Sequence, residues 1–462
     1  MARSSRQEDF LQFREQFPFF CFEKQEFELS ERGLDIRFTF NLSDQYQFFP
    51  SIFIPRKRFF LPDHLLLDSI PRIIFHIGMI ELISYWKAAC SPKVIIRPFQ
   101  LVDEQISWWK KQYFNGLGEF FYLNGLTVTP DDFMTIITDG SSVAQTERIA
   151  GIPWVNETII PIGGGKDSAV TLELLGFMPG SLPLIMNPRG ASLETIRVKG
   201  YDEDGFIEIR RKIDPVLLQL NDLGFLNGHT PFSAMLAFET LLAALITGKR
   251  NIALSNESSA SEPTIEGTTI NHQYSKSFQF ESDFREYVKK WISTEMNYFS
   301  FLRPLNELQI ASLFARYTSF YSVFKSCNAG SKTDSWCGVC AKCLFTCCIL
   351  APFLSENELE NIFGKNLFAD PSLRPILDQL TGIADEKPFD CVGTIREVNL
   401  ALCETIRRST GKKMPYLLDY YQNSPAFEQY NHSDFGLTLT VFSDDHHVGP
   451  EYLSLLKSSF LR

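Results

Sequence analysis

No stretch of this sequence reads as a membrane span. The most apolar candidate, Ile70 to Ile83, is broken by Arg72, His76 and Glu81, whereas a bilayer-crossing helix needs about twenty predominantly apolar residues. Met1 to Pro18 is polar and mixed in charge, without the apolar core of a secretory signal, so a soluble, cytoplasmic protein is expected and no membrane partner. Runs of basic residues are lacking too. Against 55 Asp and Glu stand only 44 Lys and Arg, a formal net charge of -11, and no nucleic-acid partner is expected from such a balance. Internal repeats, low-complexity tracts and long flexible linkers are also missing, which argues against a repeat array.

What remains is an ordinary globular composition, 44% hydrophobic and 21% charged over 462 residues, enough for two or three domains with their own cores. The 42 phenylalanines read as core filling rather than a base-stacking surface. Three ranges separate by pattern. Residues 1–150 read as an N-terminal α+β domain, with alternation over Leu34–Phe40 for a strand, a short strand Ile52–Ile54 closed by Pro55, and helices around Ile80–Ala89 and Ile106–Tyr113. Residues 151–353 alternate strands (Thr158–Ile162, Leu184–Met186, Phe206–Arg210, Ile252–Leu254) with helices (Ser168–Phe177, Ser233–Thr247), which predicts an α/β domain on a doubly wound parallel sheet. Residues 354–462 read as a mostly helical C-terminal region ending in polar loops. Ligands of doubly wound sheets sit beyond the carboxyl ends of the strands, here Gly163–Ser168, Asn187 and Ser255-Asn256-Glu257.

The densest chemical signal is Ile159-Ile160-Pro161-Ile162-Gly163-Gly164-Gly165-Lys166-Asp167-Ser168. Three glycines between a buried strand and a helix let a ligand approach the backbone, and the helix start offers unpaired N–H groups to phosphate. Lys166 suits phosphate charge, Ser168 a further hydrogen bond, and Asp167 either Mg²⁺ or a helix cap. Two commoner nucleotide loops do not fit. A Walker A loop would need glycine at Ile160 and a hydroxyl residue at Asp167, and a dinucleotide fingerprint would need glycine at Ser168. The segment resembles the Ser-Gly-Gly-x-Asp-Ser signature of PP-loop ATP pyrophosphatases, with Gly163 in place of the first serine. That resemblance implies attack of a substrate oxygen on the ATP α-phosphate, an adenylated substrate, and a loop that stabilises departing pyrophosphate. The plainer alternative is a glycine turn without a ligand.

Six of the ten cysteines fall between Cys327 and Cys348. Cys327-x9-Cys337-x2-Cys340-x2-Cys343 suits tetrahedral, structural Zn²⁺, and buried free thiols are the alternative. Cys347 and Cys348, in an apolar run, are assigned to packing. The spacing resembles the zinc site of 7-cyano-7-deazaguanine synthase, another PP-loop enzyme. Those synthases are short chains with the loop near the N-terminus, unlike this one.

Further segments carry a second resemblance: Phe75-His76-Ile77-Gly78-Met79-Ile80-Glu81, Ser255-Asn256-Glu257-Ser258-Ser259-Ala260, His272-Gln273-Tyr274-Ser275-Lys276, Trp336-Cys337-Gly338-Val339-Cys340-Ala341-Lys342-Cys343 and Cys391-Val392-Gly393-Thr394. With the glycine loop, they resemble the MurL-type epimerases of bacterial cell-wall synthesis over most of the chain. The resemblance implies ATP-dependent inversion of the terminal L-glutamate of UDP-N-acetylmuramoyl-L-alanyl-L-glutamate, with release of AMP and pyrophosphate. Its cofactors would be ATP and Mg²⁺. Expected ATP contacts are Gly163, Gly164, Gly165, Lys166, Asp167, Ser168 and Asn187. Expected substrate contacts are Asn256, Glu257, His272, Gln273, Tyr274, Ser275 and Lys276. Inversion needs proton donors or acceptors on both faces of the carbon. Alongside Lys166 and Asp167 at the phosphates, His272, Lys276 and Cys391 are the catalytic candidates, with Glu257, Tyr274 and His229 behind them. Each has a plainer role: a hydrogen-bonded histidine, a phosphate-binding lysine, a packed cysteine. A deazaguanine-type synthase and an inactive nucleotide-binding scaffold are the competing functions. AMP release with the muramoyl dipeptide alone would separate the epimerase from both.

Overall fold

A computed structural model describes residues 5–139, 147–265, 270–409 and 413–460. The strands are β1 (Phe19–Leu29), β2 (Gly33–Leu42), β3 (Tyr46–Phe48), β4 (Ser51–Pro55), β5 (Lys93–Ile96), β6 (Thr135–Thr138), β7 (Val155–Pro161), β8 (Leu182–Met186), β9 (Ile207–Lys212), β10 (Lys249–Leu254) and β11 (Asn297–Ser300). The chain packs as two compact units, each assembled from separate stretches. The first comprises Met1–Ile159, Phe206–Ile252 and Thr269–Tyr298; the second comprises Ile160–Gly205, Ala253–Thr268 and Phe299–Arg462.

In the first unit β1 pairs antiparallel with β2, which pairs antiparallel with β3 and β4. On its other side β1 pairs parallel with β5, and β5 with β6. The alternation that marked Leu34–Phe40 as a strand turns a row of phenylalanines inward. Phe20, Phe22, Phe38, Phe40 and Phe48 are fully buried. Each contributes about 1.5–3 kcal/mol over an exposed position. Phe22 and Phe40 meet at 5.1 Å between ring centroids, and Phe48 meets Tyr85 at 4.9 Å.

Tyr85 belongs to a helix, Asp63–Trp86, that covers this sheet and packs against the helix Phe232–Thr247. The expected helix Ile80–Ala89 is only the end of it. The helix starts at Asp63, carries Pro71 inside, and stops at Trp86. Its second half is apolar all round because it is buried all round, so no amphipathic stripe marks its length. A Cβ on Gly78 would lie 2.3 Å from the Phe22 ring, so helix and sheet approach there as only glycine allows. Glu81 on the same helix is 1% exposed and accepts two hydrogen bonds from Arg211, both 2.8 Å.

β9 carries Arg211. Expected as the third strand of the central sheet, it also pairs antiparallel with β4. β7 and β10 do pair parallel, with Thr158 opposite Asn251 and Ile159 opposite Ile252. The fold is therefore mixed α/β rather than purely doubly wound and parallel. The Ile207-Glu208-Ile209 alternation satisfies either direction of pairing, and the partner lies more than a hundred residues upstream.

The second unit gathers strand ends and helices. Ile162 N–H donates to the Leu184 carbonyl at 2.8 Å, and Phe301 N–H to the Leu254 carbonyl at 2.7 Å. Beyond residue 354 the unit is helical, including Glu356–Phe363, Arg374–Thr381, Ile395–Arg408 and Tyr416–Gln422. A further helix, Pro450–Ser458, forms where polar loops were expected. The helix Ala341–Leu350 packs against Ile395–Arg408 and buries Cys347 and Cys348. Among the described residues no helix is long and apolar enough to cross a membrane.

Candidate active site

The glycine loop joins β7 to the helix Lys166–Leu175 in the second unit. Gly164 has φ +84°, and a Cβ there would stand 2.9 Å from the backbone of Ala191 and Ser192. Both the backbone angle and the close approach demand glycine. The Gly164 carbonyl accepts from Lys325 N–H at 2.8 Å, and its N–H donates to Ser168 Oγ at 3.2 Å. Ser168 Oγ in turn donates to the Gly165 carbonyl at 3.0 Å, so the loop is braced from within. A Cβ on Gly163 would meet nothing within 4 Å, leaving that part of the loop approachable.

Lys166 is 3% exposed and ion-paired with Asp167, at 2.5 Å, and with Glu307. Burial alone would push its ammonium down, but the two carboxylates outweigh burial and hold it charged. Asp167 does not cap its helix; the N-cap is Gly165. Carboxylate oxygens of Asp167, Glu257 and Glu307 lie within 4.8 Å of one another. Glu257 follows β10, and its carbonyl accepts from the buried guanidinium of Arg303. Asn256 donates to Ser300 Oγ at 3.0 Å. Hard oxygen donors so grouped fit a divalent cation such as Mg²⁺. Here Lys166 is the cation that Asp167 and Glu307 share.

The Cys391–Thr394 segment reaches the same place. Thr394 caps the helix Ile395–Arg408 in a capping box with Glu397, and Glu397 accepts from Glu307 N–H at 2.8 Å. A Cβ on Gly393 would lie 2.9 Å from Glu307 Cγ. Cys391 itself is half-buried, two residues away. Asn187 follows β8 with φ +47° and is exposed.

The four cysteines converge. Cys327 and Cys340 sulfurs are 3.7 Å apart, Cys337 and Cys343 3.8 Å, and Cys340 and Cys343 3.5 Å. Zn–S bonds of about 2.3 Å in a tetrahedron put sulfurs about 3.8 Å apart, so the spacing fits a four-thiolate zinc site. The loop between Cys327 and Cys337 also reaches the backbone that Gly164 packs against. Its Asp334 accepts from the N–H groups of Gly190 and Ala191, at 3.1 and 3.0 Å, at the start of the helix Gly190–Val198.

The remaining candidates lie in the first unit. Gln273, Tyr274 and Ser275 are buried, while His272 and Lys276 are half-buried. His272 Nδ1 is hydrogen-bonded to Glu119, and His229 Nδ1 stands 3.7 Å from the same carboxylate oxygen. His76, from the resembling helix, is fully buried, and burial pushes it down to about 4. Glu81 is engaged by Arg211, so these two support the core. Sequence reasoning missed Glu119, Glu307 and Glu397. Glu119 and Glu307 are lone carboxylates in unremarkable local patterns, and the Thr394-x-x-Glu397 capping box signals a helix start but not the bond from Glu307.

The MurL N-terminal domain matches residues 12–301 and the MurL C-terminal domain residues 322–434. The UDP-N-acetyl-alpha-D-muramoyl-L-alanyl-L-glutamate epimerase of Xanthomonas oryzae pv. oryzae (strain MAFF 311018) is 35% identical over 393 residues, 83% of this chain and 85% of that protein. The epimerase of the same name from Salinispora tropica is 34% identical over 351 residues, 74% of each chain. That from a Micromonospora species is 32% identical over 413 residues, 86% and 88%. No solved structure matches. A mixed α/β enzyme of the isomerase class, an epimerase, is what these matches define. The chain belongs to the MurL family.

Proposed function

We propose that this enzyme inverts the terminal L-glutamate of UDP-N-acetylmuramoyl-L-alanyl-L-glutamate, at the expense of ATP, in the cytoplasmic synthesis of peptidoglycan precursors. The observation that carries the ATP step is the buried Lys166 on its glycine loop, grouped with three carboxylates and braced by Ser168.

The chemistry gives ATP a reason to be there. The glutamate nitrogen is locked in an amide and cannot form an imine. Its α-hydrogen, beside a free carboxylate, is scarcely acidic, because losing it would crowd two negative charges. Attack of the α-carboxylate on the α-phosphate of ATP gives an acyl-adenylate and removes that charge. Gly163, Gly164 and Gly165 admit the phosphates, and Lys166 and Ser168 stabilise the departing pyrophosphate. Asp167, Glu257 and Glu307 would hold Mg²⁺, which neutralises phosphate charge when bound. Proton transfer then inverts the α-carbon, and water cleaves the adenylate. Family membership favours this reading over a deazaguanine-type synthase. Incubation with ATP and the muramoyl-L-alanyl-L-glutamate nucleotide should yield AMP, pyrophosphate and, after hydrolysis, D-glutamate. D-Glutamate formed without AMP would overturn the ATP step.

Zinc at Cys327, Cys337, Cys340 and Cys343 is part of the same reading, as a structural ion. Purified protein is expected to carry about one zinc per chain. Cys340→Ser should lose the zinc and melt at a lower temperature, since four thiolates brought together need the cation. Metal analysis and thermal melts decide this. A metal-free, fully folded and active wild type would remove zinc from the proposal.

A further inference from the structure

The glycine loop is held from outside as well as from within, and one segment of the second unit holds it on two sides. That segment, residues 325–337, contains the first two cysteines of the knot. On one side it lies along the loop itself. Lys325 N–H donates to the Gly164 carbonyl at 2.8 Å, and a Cβ on Gly165 would lie 3.0 Å from Ser326 Oγ. Cys327 follows directly, so the first sulfur of the knot belongs to a stretch already bonded to the loop.

On the other side the segment reaches the loop through Asp334. Beyond β8 the chain enters the helix Gly190–Val198. Ser192 Oγ closes the start of that helix, accepting from Arg189 N–H at 3.1 Å and donating to the Arg189 carbonyl at 2.9 Å. The next two N–H groups, of Gly190 and Ala191, go one to each carboxylate oxygen of Asp334, at 3.1 and 3.0 Å. A charged acceptor makes such bonds stronger than neutral ones. The approach is close, because a Cβ on Gly190 would collide with Asp334 Oδ2. Gly164 in turn packs against the backbone of Ala191 and Ser192, which a Cβ on it would meet at 2.9 Å. Asp334, Ala191 and Gly164 thus form a continuous chain of contacts.

The knot presents Asp334 to this task. Gly330 N–H donates to Cys327 Sγ at 3.1 Å, and the Gly330 carbonyl accepts from the N–H groups of Thr333 and Ser335, both at 3.1 Å. The turn that carries Asp334 is therefore anchored on a sulfur of the knot. Asp334 has φ +48°, a left-handed backbone that aspartate tolerates better than most residues.

We propose that Asp334 is a positioning residue for the ATP phosphates. It fixes the backbone at Ala191 and Ser192, and through it the left-handed turn at Gly164, in the shape that receives them. This rests on the ATP reading above. Asp334 acts through the loop and touches no reacting atom. The contrary role for an exposed carboxylate beside this loop is to repel phosphate. The sign of the effect separates the two roles. Losing a positioning residue weakens ATP binding, and losing a repelling charge tightens it.

The test uses the full-length protein. Calorimetry measures ATP binding, turnover with ATP and the muramoyl-L-alanyl-L-glutamate nucleotide gives KM and kcat, and zinc content is compared with wild type. Asp334→Gly removes the carboxylate from a backbone conformation that glycine takes freely. It should raise Kd and KM for ATP about tenfold or more, with kcat and the KM for the muramoyl nucleotide within about threefold of wild type. Asp334→Asn keeps an oxygen acceptor and tolerates the left-handed backbone, so it should recover most of the affinity. Gly190→Ala pushes the carboxylate away from the opposite side. It should reproduce the loss with Asp334 intact, and it carries the test if Asp334→Gly folds poorly. Unchanged or tighter ATP binding in folded Asp334→Gly or Gly190→Ala would overturn the proposal while leaving the ATP reading standing. Loss of zinc together with ATP affinity in Asp334→Gly would also overturn it, because the residue would then hold the knot and not the loop. Wild type that binds no ATP would strike the ATP reading itself, and the proposal with it.

Discussion

Lys166→Met is expected to form AMP on the order of a thousandfold more slowly than wild type, with D-glutamate formation falling in step. The side chain is 3% exposed and paired with Asp167 and Glu307. A buried ammonium is costly to desolvate, and of the two carboxylates that offset this cost Glu307 is itself buried. An arrangement of that kind is weak evidence for stability and better evidence for a task. On a glycine loop the proposed task is to meet the charge that builds on departing pyrophosphate. Removing the ammonium also leaves Asp167, Glu257 and Glu307 as mutually repelling carboxylates within 4.8 Å. Losing one partner of a buried pair costs about 3–5 kcal/mol, so the variant should melt earlier too. A melt of each preparation separates the effects, with activity compared only where the protein is folded. Asp167→Asn serves as companion, since it lowers the negative charge while preserving shape. Full turnover in folded Lys166→Met would remove the loop from the chemistry.

The glycine loop was legible because its meaning is local. Strand, three glycines, lysine and helix are consecutive, and the left-handed φ of Gly164 is a demand that glycine alone meets cheaply. The cysteine knot was legible for a similar reason: two Cys-x2-Cys steps declare that their sulfurs meet. Its reach to the helix Gly190–Val198 was not, because Asp334 is an ordinary loop aspartate until the fold sets it against Gly190 and Ala191. Glu307 lies 141 residues beyond Lys166, and Glu119 lies 153 residues before His272. Periodicity carries no information over such separations. The antiparallel pairing of β9 with β4 escaped for the same reason. Alternation along a strand reports which residues are buried and not which strand lies alongside. Histidines 229 and 272 were visible as candidates, but their closeness to each other and to Glu119 shows only with the rings in place.

The second large effect concerns the order of the chemistry. In D₂O the wild-type enzyme is expected to place deuterium at the α-carbon of product glutamate only when ATP is present. The argument is electrostatic. Deprotonation beside a free carboxylate builds a dianion on adjacent atoms, whereas deprotonation beside an acyl-adenylate builds one enolate charge that the acyl oxygen can carry. An ATP analogue blocked between its α- and β-phosphates should bind without supporting exchange, because pyrophosphate cannot leave. The difference should be on the order of at least 10³-fold, since each 1.4 kcal/mol of barrier is about tenfold in rate and an added full charge is worth several such steps. Mass spectrometry of glutamate released by hydrolysis measures the deuterium, and chiral analysis assigns it to the D or L product. One control links the two half-reactions. Folded Lys166→Met should lose exchange together with AMP release, because no adenylate forms. Deuterium entering at the wild-type rate without ATP would mean that the enzyme deprotonates the free acid directly. The buried lysine and its carboxylates would then need another purpose, and the link between the glycine loop and inversion would be broken.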